Sequence, residues 1–128
     1  MNTQCDDDDF VEIPCDQSVI VDSAFYVSAE SDDYEIINFS LNDNCLALEL
    51  SGSGCDGATW SMVLVDSGAV AESNPSQRFL KLIFSNDELC TTAISQIRSF
   101  DLSVLEVQDF NEIVLNIEGF DAPINYTY

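Results

Sequence analysis

The chain is expected to fold as an all-β domain, an immunoglobulin-like β-sandwich of about seven to nine strands. A small closed β-barrel is the alternative. Three observations predict this class. Apolar residues recur with period two: Leu46, Leu48 and Leu50 alternate with Ala47 and Glu49, and Ile113, Leu115 and Ile117 alternate with Val114, Asn116 and Glu118. Turn-forming clusters such as Asn42-Asp43-Asn44 and Gly119–Pro123 separate such runs, at spacings of about 8–12 residues that suit short strands. No segment carries an apolar stripe of useful length at helical spacing. With 128 residues, 46% of them hydrophobic, the chain fits one domain with a buried core. The expected division is an acidic leader over 1–18 and a single sandwich domain over 19–128.

Taken in order, the leader holds Asp6–Asp9, four consecutive carboxylates that cannot pack and stay solvated. Val19–Ser28 is β-branched and aromatic, so a strand is expected there. Ser31-Asp32-Asp33 is a turn. Tyr34–Leu41 alternates, with Ile37, Phe39 and Leu41 on one face, Glu35 continuing that face, and Asn38 and Ser40 on the other. Asn and Asp tolerate positive φ, so Asn42–Asn44 turns the chain into Cys45–Ser51 and makes a hairpin. Gly52–Gly57 contains three glycines in six residues. No Lys follows, and the next run is a strand rather than a helix, so a tight turn at Cys55 fits better than a phosphate loop.

Ala58–Asp66 is that strand, with Trp60, Met62 and Leu64 on one face; Val70–Asn74 then links to Pro75. Ser76–Ser85 is apolar on both faces, Leu80, Leu82 and Phe84 against Phe79 and Ile83, which marks a central or covered strand. Arg78 and Lys81 lie there, one per face, and in so acidic a chain they are expected to meet carboxylates. Thr91–Asp101 is a further strand, and Phe100–Leu105 a turn or single helical turn. Asn111–Glu118 and Ile124–Tyr128 close the domain, the last with Ile124, Tyr126 and Tyr128 on one face.

Charge and residue usage exclude several functions. Asp and Glu number 24 against 3 cations, Arg78, Lys81 and Arg98, for a net charge of −21. Such a surface repels phosphate backbones, so nucleic acid is not a partner; anionic lipid is repelled too, whereas basic partners are not. No apolar run is long enough to span a membrane. The sequence has no His, hence no imidazole base and no Ser-His-Asp or Cys-His pair, and no catalytic residue or cofactor is assigned. Cysteines stand at 5, 15, 45, 55 and 90 with no Cys-x-x-Cys pair, which does not suit zinc. Asp6–Asp9 lacks the spacing and glycine of a calcium loop, so no metal ligand is assigned. Four cysteines in a β-rich domain suggest two disulfides and an oxidising compartment, with Cys5 the odd one.

Cys5 followed by Asp6–Asp9 resembles the mature start of a Bacteroidetes lipoprotein, a lipid-bearing cysteine and then an acidic cluster like those on surface-directed members. The resemblance implies lipidation at Cys5, with membrane contact only through that anchor. No signal-peptide n-region or h-region is present, so Met1 is expected either to be an artificial start or to follow an export signal cut away before this numbering begins. Asp22-Ser23-Ala24 resembles the short O-glycosylation motif of Bacteroidetes envelope proteins, although three residues recur often by chance. Cys45-Leu46, Ser53–Gly57, Trp60, Ser73–Arg78, Glu88-Leu89-Cys90, Phe100–Ser103 and Ile124–Tyr128, read together, look like a group of uncharacterised lipoproteins from flavobacteria and related Bacteroidetes, over about residues 34–128. That resemblance implies an envelope location and a paired Cys55 and Cys90. Cys15 and Cys45 would then form a second bond, tying the leader to the first hairpin; four cysteines allow three pairings.

The function expected is that of a non-enzymatic cell-envelope lipoprotein on the outer membrane, facing the surface or the periplasm. It would be a monomeric interaction module for an envelope or extracellular protein or glycan. A structural envelope protein, or a calcium-dependent module using Asp6–Asp9 or Asp32-Asp33, is the alternative.

Overall fold

The computed structural model describes residues 15–128; Cys5 and Asp6–Asp9 lie outside the described residues. The elements are β1 (Gln17–Ser18), β2 (Ile20–Val21), α1 (Ser23–Ser28), β3 (Glu35–Asn42), β4 (Cys45–Gly54), β5 (Ser61–Ala71), β6 (Ser76–Ser85), β7 (Thr92–Asp101), a 3-10 turn (Ser103–Leu105), β8 (Glu112–Ile117) and β9 (Ile124–Thr127). They form a four-stranded sheet in the order β1-β7-β4-β3 and a five-stranded sheet in the order β9-β8-β6-β5-β2. The expected sandwich is therefore found, and the closed barrel is not. Both sheets are mixed, because β6 and β8 pair in parallel and so do β1 with β7 and β2 with β5.

Period-two alternation places the core. Leu46, Leu48 and Leu50 of β4 are fully buried against Leu64, Leu80, Phe84, Ile113 and Leu115 of the other sheet. Trp60 meets Phe84 edge to face, ring centroids 4.9 Å apart, and closes the core at one end. β6 is central, paired with β5 on one side and β8 on the other. On its outer side Ile83 is buried, as is Val65 of β5, where α1 packs. Asp43 takes φ 54° in the turn between β3 and β4, as its residue type permits.

Three local expectations are corrected. Val19–Ser28 is not one strand. Gln17-Ser18 pairs with Phe100-Asp101 in one sheet, buried Val19 crosses the core, and Ile20-Val21 pairs with Val65-Asp66 in the other. The chain then turns into α1, because the Asp22 carboxylate accepts the Phe25 N–H at 3.0 Å as an N-cap. That local bond outweighs the strand preference of the apolar residues that follow.

In β3, Ile36 lies opposite Leu50, Asn38 opposite Glu49 and Phe39 opposite Leu48. A bulge at Ile37 therefore adds one residue and shifts the phase of alternation. Ile36, Phe39 and Leu41 share the inner side, Ile37 is 52% exposed, and Glu35 lies on the outer side opposite Ser51. Finally, β5 continues to Ala71 through an irregularity between Asp66 and Val70. Gly68 there takes φ +85°, a backbone conformation that L side chains rarely adopt.

Candidate functional site

The glycine-rich loop after β4 is closed on itself. Cys55 is disulfide-bonded to Cys90, Cα atoms 4.8 Å apart, which carries Glu88 over the loop. Glu88 Oε1 accepts the amides of Cys55 (2.7 Å), Gly57 (2.9 Å) and Asp56 (3.3 Å). Its Oε2 accepts the Thr59 amide at 3.1 Å and the Thr59 hydroxyl at 2.9 Å. Converging amides of this kind form an anion-binding nest.

Partial desolvation pushes the Glu88 carboxyl up, but the Gly57 and Thr59 amides, the Thr59 hydroxyl and the Cys55 amide outweigh it and hold the group at about 2. Gly54 is needed for this approach, since a Cβ there would stand 2.5 Å from Glu88 Oε1 and 3.1 Å from Trp60 Nε1. The anion held by this loop is the protein's own Glu88. Its place two residues before Cys90 was the only hint in the sequence.

The opposite end of the β5–β6 pair is open. Asp66 and Arg78, 12 residues apart, meet across the hairpin: Arg78 Nη1 donates to Asp66 Oδ2 at 2.8 Å, and Arg78 Nε donates to the Leu105 carbonyl at 2.9 Å. The Asp66 side chain is fully buried and that of Arg78 is 12% exposed. Burial pushes the Asp66 carboxyl up, while the Gly68 amide and the Arg78 guanidinium pull it back. Asp66 Oδ1 has no hydrogen-bond partner among the described residues.

Beside the pair lies a cleft of about 440 Å³, lined by Val70, Glu72, Ser76, Arg78, Val107 and Phe110. Phe110 is 55% exposed. Tyr128 holds Val107 of this lining, and Tyr126 holds its neighbour Glu106. The Tyr128 hydroxyl accepts the Val107 N–H at 2.7 Å and donates to the Val107 carbonyl at 3.0 Å. The Tyr126 hydroxyl donates to Glu106 Oε2 at 2.7 Å, and burial together with that carboxylate pushes its pKa up. A concave space of this size with apolar walls and a few convergent polar groups suits a small ligand or one unit of a larger one.

The other residues singled out in the sequence lie apart from this cleft. Cys15 is bonded to Cys45, Cα atoms 5.6 Å apart, beside the turn that opens β4. Lys81 Nζ donates to the Tyr26 carbonyl at 2.8 Å, stands 4.7 Å over the Tyr26 ring and reaches Glu118 at 4.0 Å. Both Arg78 and Lys81 thus meet a carboxylate. Asp32 Oδ2 accepts the Asn86 N–H at 2.7 Å, so this carboxylate braces a loop. Ser23 of the Asp22-Ser23-Ala24 motif is exposed at the first position of α1.

No family model and no curated protein matches the chain. Two solved structures are similar to it, each with a TM-score of 0.57. One is a protein of unknown function, DUF1344, from Bacteroides vulgatus, 14% identical over 88% of this chain. The other, provisionally called toxin-related, is from Parabacteroides distasonis, 18% identical over 88% of this chain. The chain spans 56% and 59% of their respective lengths. At these identities the likeness is one of fold, a sandwich shared with Bacteroidetes proteins.

Proposed function

We propose that this protein is a non-enzymatic cell-envelope lipoprotein, anchored through Cys5, that displays a β-sandwich as a binding module for an envelope or extracellular molecule. The observation that carries the binding reading is the cleft beside the Asp66–Arg78 pair. Val70, Val107 and Phe110 line it beside Arg78, whose guanidinium is oriented by Asp66, and Tyr128 bonds Val107. Two disulfides suit an oxidising compartment, and the fold shared with Bacteroidetes proteins agrees with the lineage that the leader resembles. The sequence has no His, so no imidazole serves as an acid or base at neutral pH.

Two measurements test the proposal. Mass spectrometry of the native protein is expected to find acyl chains on Cys5; an unmodified Cys5 overturns the anchor. Fractionated envelope polysaccharides and peptides passed over the immobilised protein are expected to include one retained by the wild type and lost on Phe110→Ala. Retention that is equal in both, or absent from both, overturns the cleft as the binding site.

A further inference from the structure

A second surface lies away from the cleft, along the free edge of β3. This strand ends the four-stranded sheet, and among the described residues no strand pairs with its outer edge. The edge borders a groove of about 490 Å³ whose other wall is the turn Gly119–Ala122 between β8 and β9. Phe39 and Phe120 form its apolar floor, ring centroids 5.8 Å apart. Phe39 is 45% exposed, and the bulge leaves Ile37 exposed beside it. An open edge offers amides and carbonyls to an incoming strand; here the Phe39 amide donates to the adjacent Asn38 Oδ1, at 2.9 Å, a contact that an incoming carbonyl would replace. Natural edges are blunted with inward charges, lysines or covering loops, and neither Lys nor Arg lines this groove.

We propose that this edge receives an extended segment of a cationic partner protein, which adds to β3 as a further strand. Main-chain bonds to β3 would supply affinity, and alternate side chains specificity. An apolar side chain of the segment would rest on Phe39 and Phe120, and Lys or Arg side chains would meet Glu35 and Asp121, the carboxylates that line the groove among the described residues. Charge decides between occupants. A second copy would bring another net charge of −21 to the same edge, and like charges across an interface oppose association. A basic segment is instead steered in.

The test titrates the full chain with an acetylated, amidated peptide of alternating Lys and Val, followed by amide chemical shifts. Shifts are expected along β3 and Gly119–Ala122, and they should weaken as salt is raised. Ile37→Lys puts a cation on an exposed bulge residue that does not enter the core, so it should fold as the wild type does and bind the peptide at least about tenfold more weakly. Should that variant fold poorly, Glu35→Lys on the outer face makes the same test. The proposal is overturned if the β3 amides do not move, if an alternating Glu and Val peptide moves them equally, or if both lysine variants bind as the wild type does. Sedimentation showing a dimer abolished by Ile37→Lys would overturn it in favour of a second copy.

Discussion

Replacing Arg78 by Met removes a guanidinium that meets Asp66 Oδ2 at 2.8 Å and the Leu105 carbonyl at 2.9 Å. What remains is a fully buried carboxylate with the Gly68 amide, 2.8 Å away, as its partner. Removing one member of a buried pair costs about 3–5 kcal/mol, chiefly because the other charge is left uncompensated. That is a large share of the roughly 5–15 kcal/mol by which a domain is stable.

Adding Asp66→Leu should recover most of the loss, since apolar replacement of both partners is often neutral or better. Urea unfolding with both disulfides intact, followed by the fluorescence of Trp60, the single tryptophan, measures each variant. The pH dependence has a definite sign. Burial already raises the Asp66 pKa in the fold, and losing Arg78 raises it further. A carboxyl with a raised folded pKa favours the fold below its unfolded value, near pH 4, and loses that contribution as pH rises through the folded value. The deficit of Arg78→Met should therefore be smallest near pH about 4 and grow towards neutrality. A cost below about 1 kcal/mol, as for an exposed pair, or a double variant no more stable than Arg78→Met, would refute this account.

Two further outcomes are expected. Glu88→Gln should lower the melting temperature at neutral pH, because an amide cannot accept five donors as a carboxylate does. With a folded pKa of about 2, the wild-type advantage is full above the ordinary Glu value and fades as pH falls from there towards 2; an advantage constant across that window would exclude the carboxylate as its source. Replacing Cys55 and Cys90 together by Ala opens a loop with a sequence separation of 35, for a loss of about 4 kcal/mol in the chain-entropy model. Denaturant unfolding of the non-reduced variant checks this, and a loss under about 1 kcal/mol would mean the loop is already ordered without its covalent tie.

The sequence by itself determined the β-sandwich class and most of its core. Leu46, Leu48 and Leu50, and likewise Ile113, Leu115 and Ile117, face inward because alternation along a strand depends only on neighbours in the chain. The turn at Asp43 and the central place of β6 were legible for the same local reason. The bulge at Ile37 was not, because a single inserted residue leaves composition unchanged while reversing the faces that precede it. Nor was the helix at Ser23–Ser28, where one carboxylate bonded to one amide outweighs the propensity of its neighbours.

Only the tertiary structure decided the sites. Arg78 and Lys81 were legible as cations in need of partners, but the pairing of Arg78 with Asp66, beside a cleft lined by Val107 and Phe110, depends on a hairpin register and a distant loop. The capture of Glu88 by amides 29 to 33 residues earlier in the chain and the free edge of β3 depend likewise on how the strands are ordered. Such contacts are made in space between residues far apart in the chain, where hydrophobic period and turn chemistry carry no information.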